Sequence, residues 1–233
     1  MLVIPHSHAK ECGDINLSMT PATGGGKETN METSTSSENV RTAISMAQDD
    51  LAWIRASLEG LEIKGDHRHR IPGQLFDLSI EHHAGIITLI SMATYASAFA
   101  LVRCAFECFV RGAWIHYCAS EQEIEAFVEK DTIAPKFGDL IKAIEERPEF
   151  SVKFLSTVKQ SAWSAMNGYT HGGVHQVSRR LQGDYIEPAF DDDSLLEVVS
   201  FCRTMALIAF GQIGSLAGRS DLVDQATDRM KKA

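Results

Sequence analysis

The chain has 233 residues, 44% hydrophobic and 23% charged, which allows one globular domain with a tail. Its net charge of −9 excludes a generic nucleic-acid coating protein, which relies on a basic surface. Five cysteines, an odd number with no C-x-x-C pair, predict reduced thiols rather than a disulfide framework, and a cytoplasmic location.

Residues 1 to about 35 are rich in Gly, Ser, Thr, Asn and Glu and show no apolar period. They predict a disordered tail, and the opening MLVIPHSHAKECGD is too short in its apolar run for a secretory signal. The remainder, 36–233, predicts one helical domain. Thr35-Ser-Ser-Glu38 has the form of a capping box. Val40, Ile44, Ala47, Leu51, Ile54, Leu58 and Leu61 then form a seam with alternating spacings of four and three, so the first helix should run to Lys64-Gly65. GDHRHRIPG reads as a turn-rich, solvated connection; its two histidines have metal-like spacing but no third ligand nearby.

A second, long helix is predicted from Gln74 to Cys118, with Gly85 and Gly112 as places to bend. Its uncharged part, Gly85 to Val102, is long enough to be weighed as a membrane span. The Thr, Ser and Tyr residues scattered through it favour a central buried helix and no membrane. Ser120-Glu-Gln-Glu123 is a further capping box, and Pro135 should open the helix of KFGDLIKAIEER. Beyond Pro148, the apolar stripe of Leu155, Val158, Ala162, Ala165 and Tyr169 predicts a helix that ends at Gly172-Gly173. Its second face carries Trp163, Asn167 and His171. Asp191-Asp-Asp-Ser194 caps a last long helix, and SDLVDQATDRMKK forms a short polar one. The sum is an all-α bundle of about five to seven helices.

Two stretches set polar groups in apolar surroundings. In YASAFALVRCAFECFVRGAWIHYC, Arg103, Glu107 and Arg111 fall on one helix face at spacings of four. On an all-round apolar helix such charges are expected to be buried, so that Glu107→Ala would strand an arginine. Cys104 and Cys108 in the same stretch are expected to fill the core. The other stretch is Asn167-Gly-Tyr-Thr-His171-Gly-Gly with His175, Arg179 and Arg180. If the two helices face each other, Arg103 and Glu107 meet Asn167 and His171. A histidine can move protons, a carboxylate or an asparagine can orient it, and an arginine can hold a phosphate oxygen. That chemistry needs no metal and no cofactor. The same four residues can equally close a structural polar network.

The stretches SAFALVRCAFECFVRGAWI and SAWSAMNGYTHGGVHQVSRR resemble an uncharacterised bacterial family of helical proteins. Its motifs are R-x-x-x-E-x-x-x-R-G-x-W and N-G-x-T-H-G-G. More distantly the chain resembles the HEPN superfamily of helical bundles. Many HEPN members are metal-independent ribonucleases of toxin–antitoxin and phage-defence systems, and many are dimers. Their site is an Arg followed four to six residues later by His on one helix. Here that resemblance implies Arg103 and His171 from different helices. His171, Arg103, Glu107 and Asn167 are the expected catalytic set, with Arg111, His175 and Arg179 as binding residues. It also implies an RNA substrate, a homodimer built on the broad apolar surface of Leu195 to Leu216, or a protein partner from the same operon. The alternative is a non-catalytic interaction or ligand-binding module.

Overall fold

A computed structural model describes residues 37–150 and 152–231. The tail expected over residues 1 to about 35, and Thr35 with it, lie outside the described residues. Within them the chain is all-helical, with nine α-helices and two short 3-10 turns, more helices than expected. Among the described residues the only β-pairing is an isolated bridge between Gln182 and Tyr185.

Helix α1 spans Glu38–Leu58, and the Ser37 hydroxyl accepts from the Val40 amide at its start. The predicted seam is its inner face: Val40, Ala47, Leu51 and Ile54 are buried. It stops before Lys64, however, at Glu59 and the left-handed Gly60.

Helix α2 spans His67–Ser91, so the HRHR stretch is its first turn and not a loop. Pro72 lies inside it. Proline cannot donate to the Arg68 carbonyl one turn back. The His116 ring takes that place, with Nδ1 3.4 Å from Arg68 O. This rescue from another helix is invisible to a local reading of I-P-G.

Helix α3, Tyr95–Tyr117, is separated from α2 by a tight turn, so the predicted single helix from Gln74 to Cys118 is two. Ala93 is left-handed there (φ 55°), and the Thr94 amide donates to Leu89 O at 2.8 Å. That is the hydrogen bond of a glycine-type helix stop with alanine in the glycine position. The two helices run antiparallel. Phe76 packs on Phe109, the Ser79 hydroxyl donates to Ala105 O (2.9 Å), and Gly112 leaves room for Phe76 and Leu75.

Helix α4, Glu121–Lys130, carries the full reciprocal capping box of Ser120 and Glu123. Helix α5, Phe137–Glu145, begins two residues after Pro135, with Lys136 at its cap. After a 3-10 turn at Pro148–Phe150 comes α6, Phe154–Thr170, whose predicted stripe is buried throughout. Helix α7, Val174–Val177, runs into a 3-10 turn at Ser178–Arg180. Helix α8, Asp192–Leu216, is capped by the Asp191 carboxylate accepting from the Ser194 amide at 2.7 Å. Helix α9, Ser220–Met230, closes the chain.

Helices α3 and α8 form the centre. α8 packs against α1, α2, α3 and α9, which cover the apolar surface expected to serve pairing of two chains. Among the described residues it is the one helix long and apolar enough to cross a membrane, and 72% of its apolar window is buried inside the chain. α1 lies parallel to it, fastened by Ser37 N to Asp192 Oδ2 (3.1 Å), by Arg203 to Asp50, and by Trp53 edge-on to Phe210 (4.6 Å).

Candidate functional site

The i, i+4 spacing on α3 does what helical geometry requires. Arg103 Nε donates to Glu107 Oε1 at 2.6 Å, and Arg111 Nη2 donates to Glu107 Oε2 at 3.2 Å. One carboxylate therefore orients two guanidiniums. The stripe is not sealed, in contrast to the expectation of burial. Side-chain exposures are 23% for Arg103, 18% for Glu107 and 45% for Arg111, because α5 and α6 flank the stripe without covering it.

The antiparallel approach of α6 brings His171 to Arg103. Nη1 of Arg103 lies 3.0 Å from Nε2 of His171. A guanidinium only donates, so this contact requires a lone pair on Nε2 and places the ring hydrogen on Nδ1. Trp163 supplies the floor, with the Arg103 Cζ 4.9 Å from its ring centre. The indole in turn is stacked on Phe137 of α5, 4.6 Å away and 15° from parallel. Arg103 is thus held by a carboxylate, an imidazole and an aromatic face.

The N-G-Y-T-H-G-G segment is explained by its backbone. His171 caps α6, Gly172 is left-handed (φ 67°), and the Gly173 amide donates to Gly168 O at 2.7 Å. A Cβ on Gly173 would sit 2.8 Å from the Gly168 Cα. The glycines let the chain fold back on the last turn of α6 while His171 stays exposed beside Arg103.

The other expected residues divide. Asn167 is half-buried on the same helix, but its side chain makes no hydrogen bond to Arg103, Glu107 or His171. His175 is turned towards Gly168 and the Tyr169 ring (6.3 Å), away from those hydrogen bonds. Arg179, expected as a binding residue, is 1% exposed and fastens the chain ahead of α8. It donates to Asp191 Oδ2 (3.1 Å) and to the Ser194 hydroxyl (3.0 Å) and lies 5.3 Å from the Phe190 ring centre. Burial alone would raise the Asp191 carboxyl; hydrogen bonds from Ser194 and Arg179 outweigh it and hold it below the usual range. Cys104 and Cys108 are half-buried, and burial pushes the Cys108 thiol up to about 11, where it is a poor nucleophile. Among the described residues no three His, Cys, Asp or Glu side chains gather as a metal ligand set.

A second polar cluster escaped the sequence reading. Asp50 accepts from Arg203 Nε and from Arg229 Nη1, each at 2.6 Å, and Arg229 lies 4.3 Å from the Trp53 ring centre. The signal was present: between Glu197 and Arg219, Arg203 is the only charged residue in a largely apolar run. Close by, His83 is 1% exposed, and burial, helped by the Arg203 charge, lowers it to about 3.

Residues 76–232 match the model of a family of unknown function, DUF6988. The chain belongs to that family. The DUF6988 match takes in α3 to α9, and so Arg103, Glu107, Trp163 and His171, but not α1 with its Asp50. Comparison with curated proteins and with solved structures gives no match.

Proposed function

We propose that this DUF6988 protein is a HEPN-like, metal-independent ribonuclease, with His171 as the proton-transfer group and Arg103 as the phosphate clamp. The observation that carries the reading is the contact of Arg103 Nη1 with His171 Nε2 (3.0 Å) at a solvent-reached position. A phosphodiester oxygen would take the Nη1 donor from the imidazole. The freed Nε2 lone pair would then accept the proton of a ribose 2′-hydroxyl as that oxygen attacks the adjacent phosphorus. The bond to the 5′-oxygen breaks, solvent protonates the leaving oxygen, and the products are a 2′,3′-cyclic phosphate and a 5′-hydroxyl. Arg103 and the half-exposed Arg111, both oriented by Glu107, would offset the charge that builds on the phosphoryl oxygens. Asn167 would position from the neighbouring turn. A cytoplasmic toxin–antitoxin or phage-defence setting and a homodimer belong to the same proposal, on the HEPN resemblance.

A second reading, a non-catalytic interaction module, is favoured by one observation. Val174, Val177, Leu181, Tyr185 and Ile186 are all exposed, by 56–81%, immediately after His171. One experiment separates the two. Purified protein is incubated with RNA in EDTA, beside His171→Ala and Arg103→Ala proteins shown by circular dichroism to be folded. The ribonuclease reading expects cleavage that falls about 10²–10⁴-fold in either variant. Cleavage that persists in folded His171→Ala protein overturns it, and no cleavage of any RNA leaves the interaction reading.

A further inference from the structure

The two imidazoles at the opposite end of α3 are prepared in a way the ribonuclease reading does not use. His69, in the first turn of α2, has its Nδ1 2.9 Å from Asp66 Oδ1. His116, in the last turn of α3, has its Nδ1 3.4 Å from Arg68 O, the carbonyl that Pro72 leaves without a helical donor. A carboxylate and a carbonyl oxygen only accept, so each Nδ1 must carry its hydrogen. In the neutral rings both Nε2 atoms are then bare lone pairs. This is how metal-binding histidines are held: the second ring nitrogen donates to a carboxylate or a backbone carbonyl, which fixes the tautomer and raises the basicity of the ligand.

The separation also fits. The ring centres are 5.9 Å apart, with the planes at 67°. Two imidazoles sharing one ion at a metal–nitrogen distance of about 2.0–2.1 Å have centres about 5–6 Å apart. His69 is partly open to solvent, with 41% of its side chain exposed. The neighbouring cation is neutralised: Arg68 donates from Nη2 (2.6 Å) and Nε (3.0 Å) to Glu121 Oε1.

We infer that His69 and His116 form a two-histidine site for a late divalent transition metal, zinc or nickel, whose remaining ligands are water. Imidazole is the ligand class those ions prefer. No third His, Cys, Asp or Glu joins the pair among the described residues, so the ion would keep open positions. It would tie the start of α2 to the end of α3. The site lies about 20 Å from Arg103 along α3, at 1.5 Å per residue, and is independent of the cleavage chemistry.

The test uses the full chain, stripped with EDTA and then dialysed, in a His6→Ala/His8→Ala background that removes the other H-x-H pair of the sequence. Zinc chloride alone is titrated by calorimetry and by thermal melting. The expected result is one saturable ion per chain with a raised melting midpoint. His69→Ala and His116→Ala should each abolish both, while His67→Ala retains them. Nitrogen-15 NMR of the metal-free protein gives a second readout, with both rings expected as Nδ1–H tautomers. Binding unchanged in the His69→Ala and His116→Ala proteins, or an Nε2–H tautomer at either ring, overturns the inference.

Discussion

Arg203 and Asp50 lie 153 residues apart in sequence and 2.6 Å apart in space, and their ion pair joins the first helix to the eighth. Both side chains are at least nine-tenths buried, at 10% and 6% exposure. Removing the carboxylate strands Arg203 and frees Arg229 from its partner. Asp50→Ala is expected to lower stability by about 3–5 kcal/mol, the range for breaking a buried pair from one side. Asp50→Asn keeps an acceptor and should lose less. Urea unfolding of the two variants measures both.

Glu107→Ala is expected to behave differently, although Glu107 also bridges two arginines. Its pair with Arg103 is only half-buried, and water can solvate the guanidinium left behind. A loss of about 1 kcal/mol is expected. If urea unfolding shows a loss as large as that of Asp50→Ala, the stripe is sealed in solution and the site has no solvent access.

His83 sets a pH dependence whose sign follows from its burial. Its folded-state value is pushed down to about 3 from an ordinary 6.5, so between those values the unfolded chain binds the proton and the folded chain does not. Stability is therefore complete above about 6.5 and falls as pH drops below it, by up to about 1.4 kcal/mol per pH unit from this group. His82 and His116, also lowered by burial, act in the same direction. His83→Leu removes the largest of these and a buried Nδ1 with no hydrogen-bond partner. Its unfolding free energy should fall less between pH 6.5 and 4.5 than that of wild type, and an unchanged slope would show that His83 is protonated in the fold.

The α2–α3 turn offers a stabilising substitution. Ala93 is exposed and holds φ 55°, a conformation that is unfavourable for a residue with a Cβ by about 1–2 kcal/mol. Ala93→Gly is expected to raise stability by about 1 kcal/mol. A shift of the urea midpoint to higher concentration at constant slope checks it.

Much of the helical content could be read directly, because the signals were local. The Ser120 and Asp191 caps, the α1 seam and the glycine stop after His171 each depend on a few neighbouring residues. What failed depended on partners distant in the chain. Pro72 looked like a boundary because the donor that replaces its amide is His116. Ser-Met-Ala-Thr carries no glycine or proline, so nothing local marked the break that alanine makes at position 93. At the site, i, i+4 spacing foretold the Arg103–Glu107–Arg111 arrangement, and matching stripes foretold His171 opposite Arg103. Trp163 was visible on the correct face, but only the stacking on Phe137 shows why it lies under Arg103. Arg179 was misplaced because charge in a loop reads as exposed, whereas this arginine turns inward to Asp191 and Ser194.

The Arg179 anchor also makes the stretch beyond it a natural port for added sequence. Ala189 N donates to Arg179 O at 2.9 Å, so the segment between them leaves the bundle and returns with its feet tied together. At its tip, Gly183 is left-handed and exposed, with nothing within 4 Å of where a Cβ would stand. Lengthening a loop whose ends are already closed is cheap, since each doubling adds only about 0.6 kcal/mol of closure entropy. A fluorescent or affinity insert between Gly183 and Asp184 would therefore ride on the folded protein without disturbing the helices it is tied to.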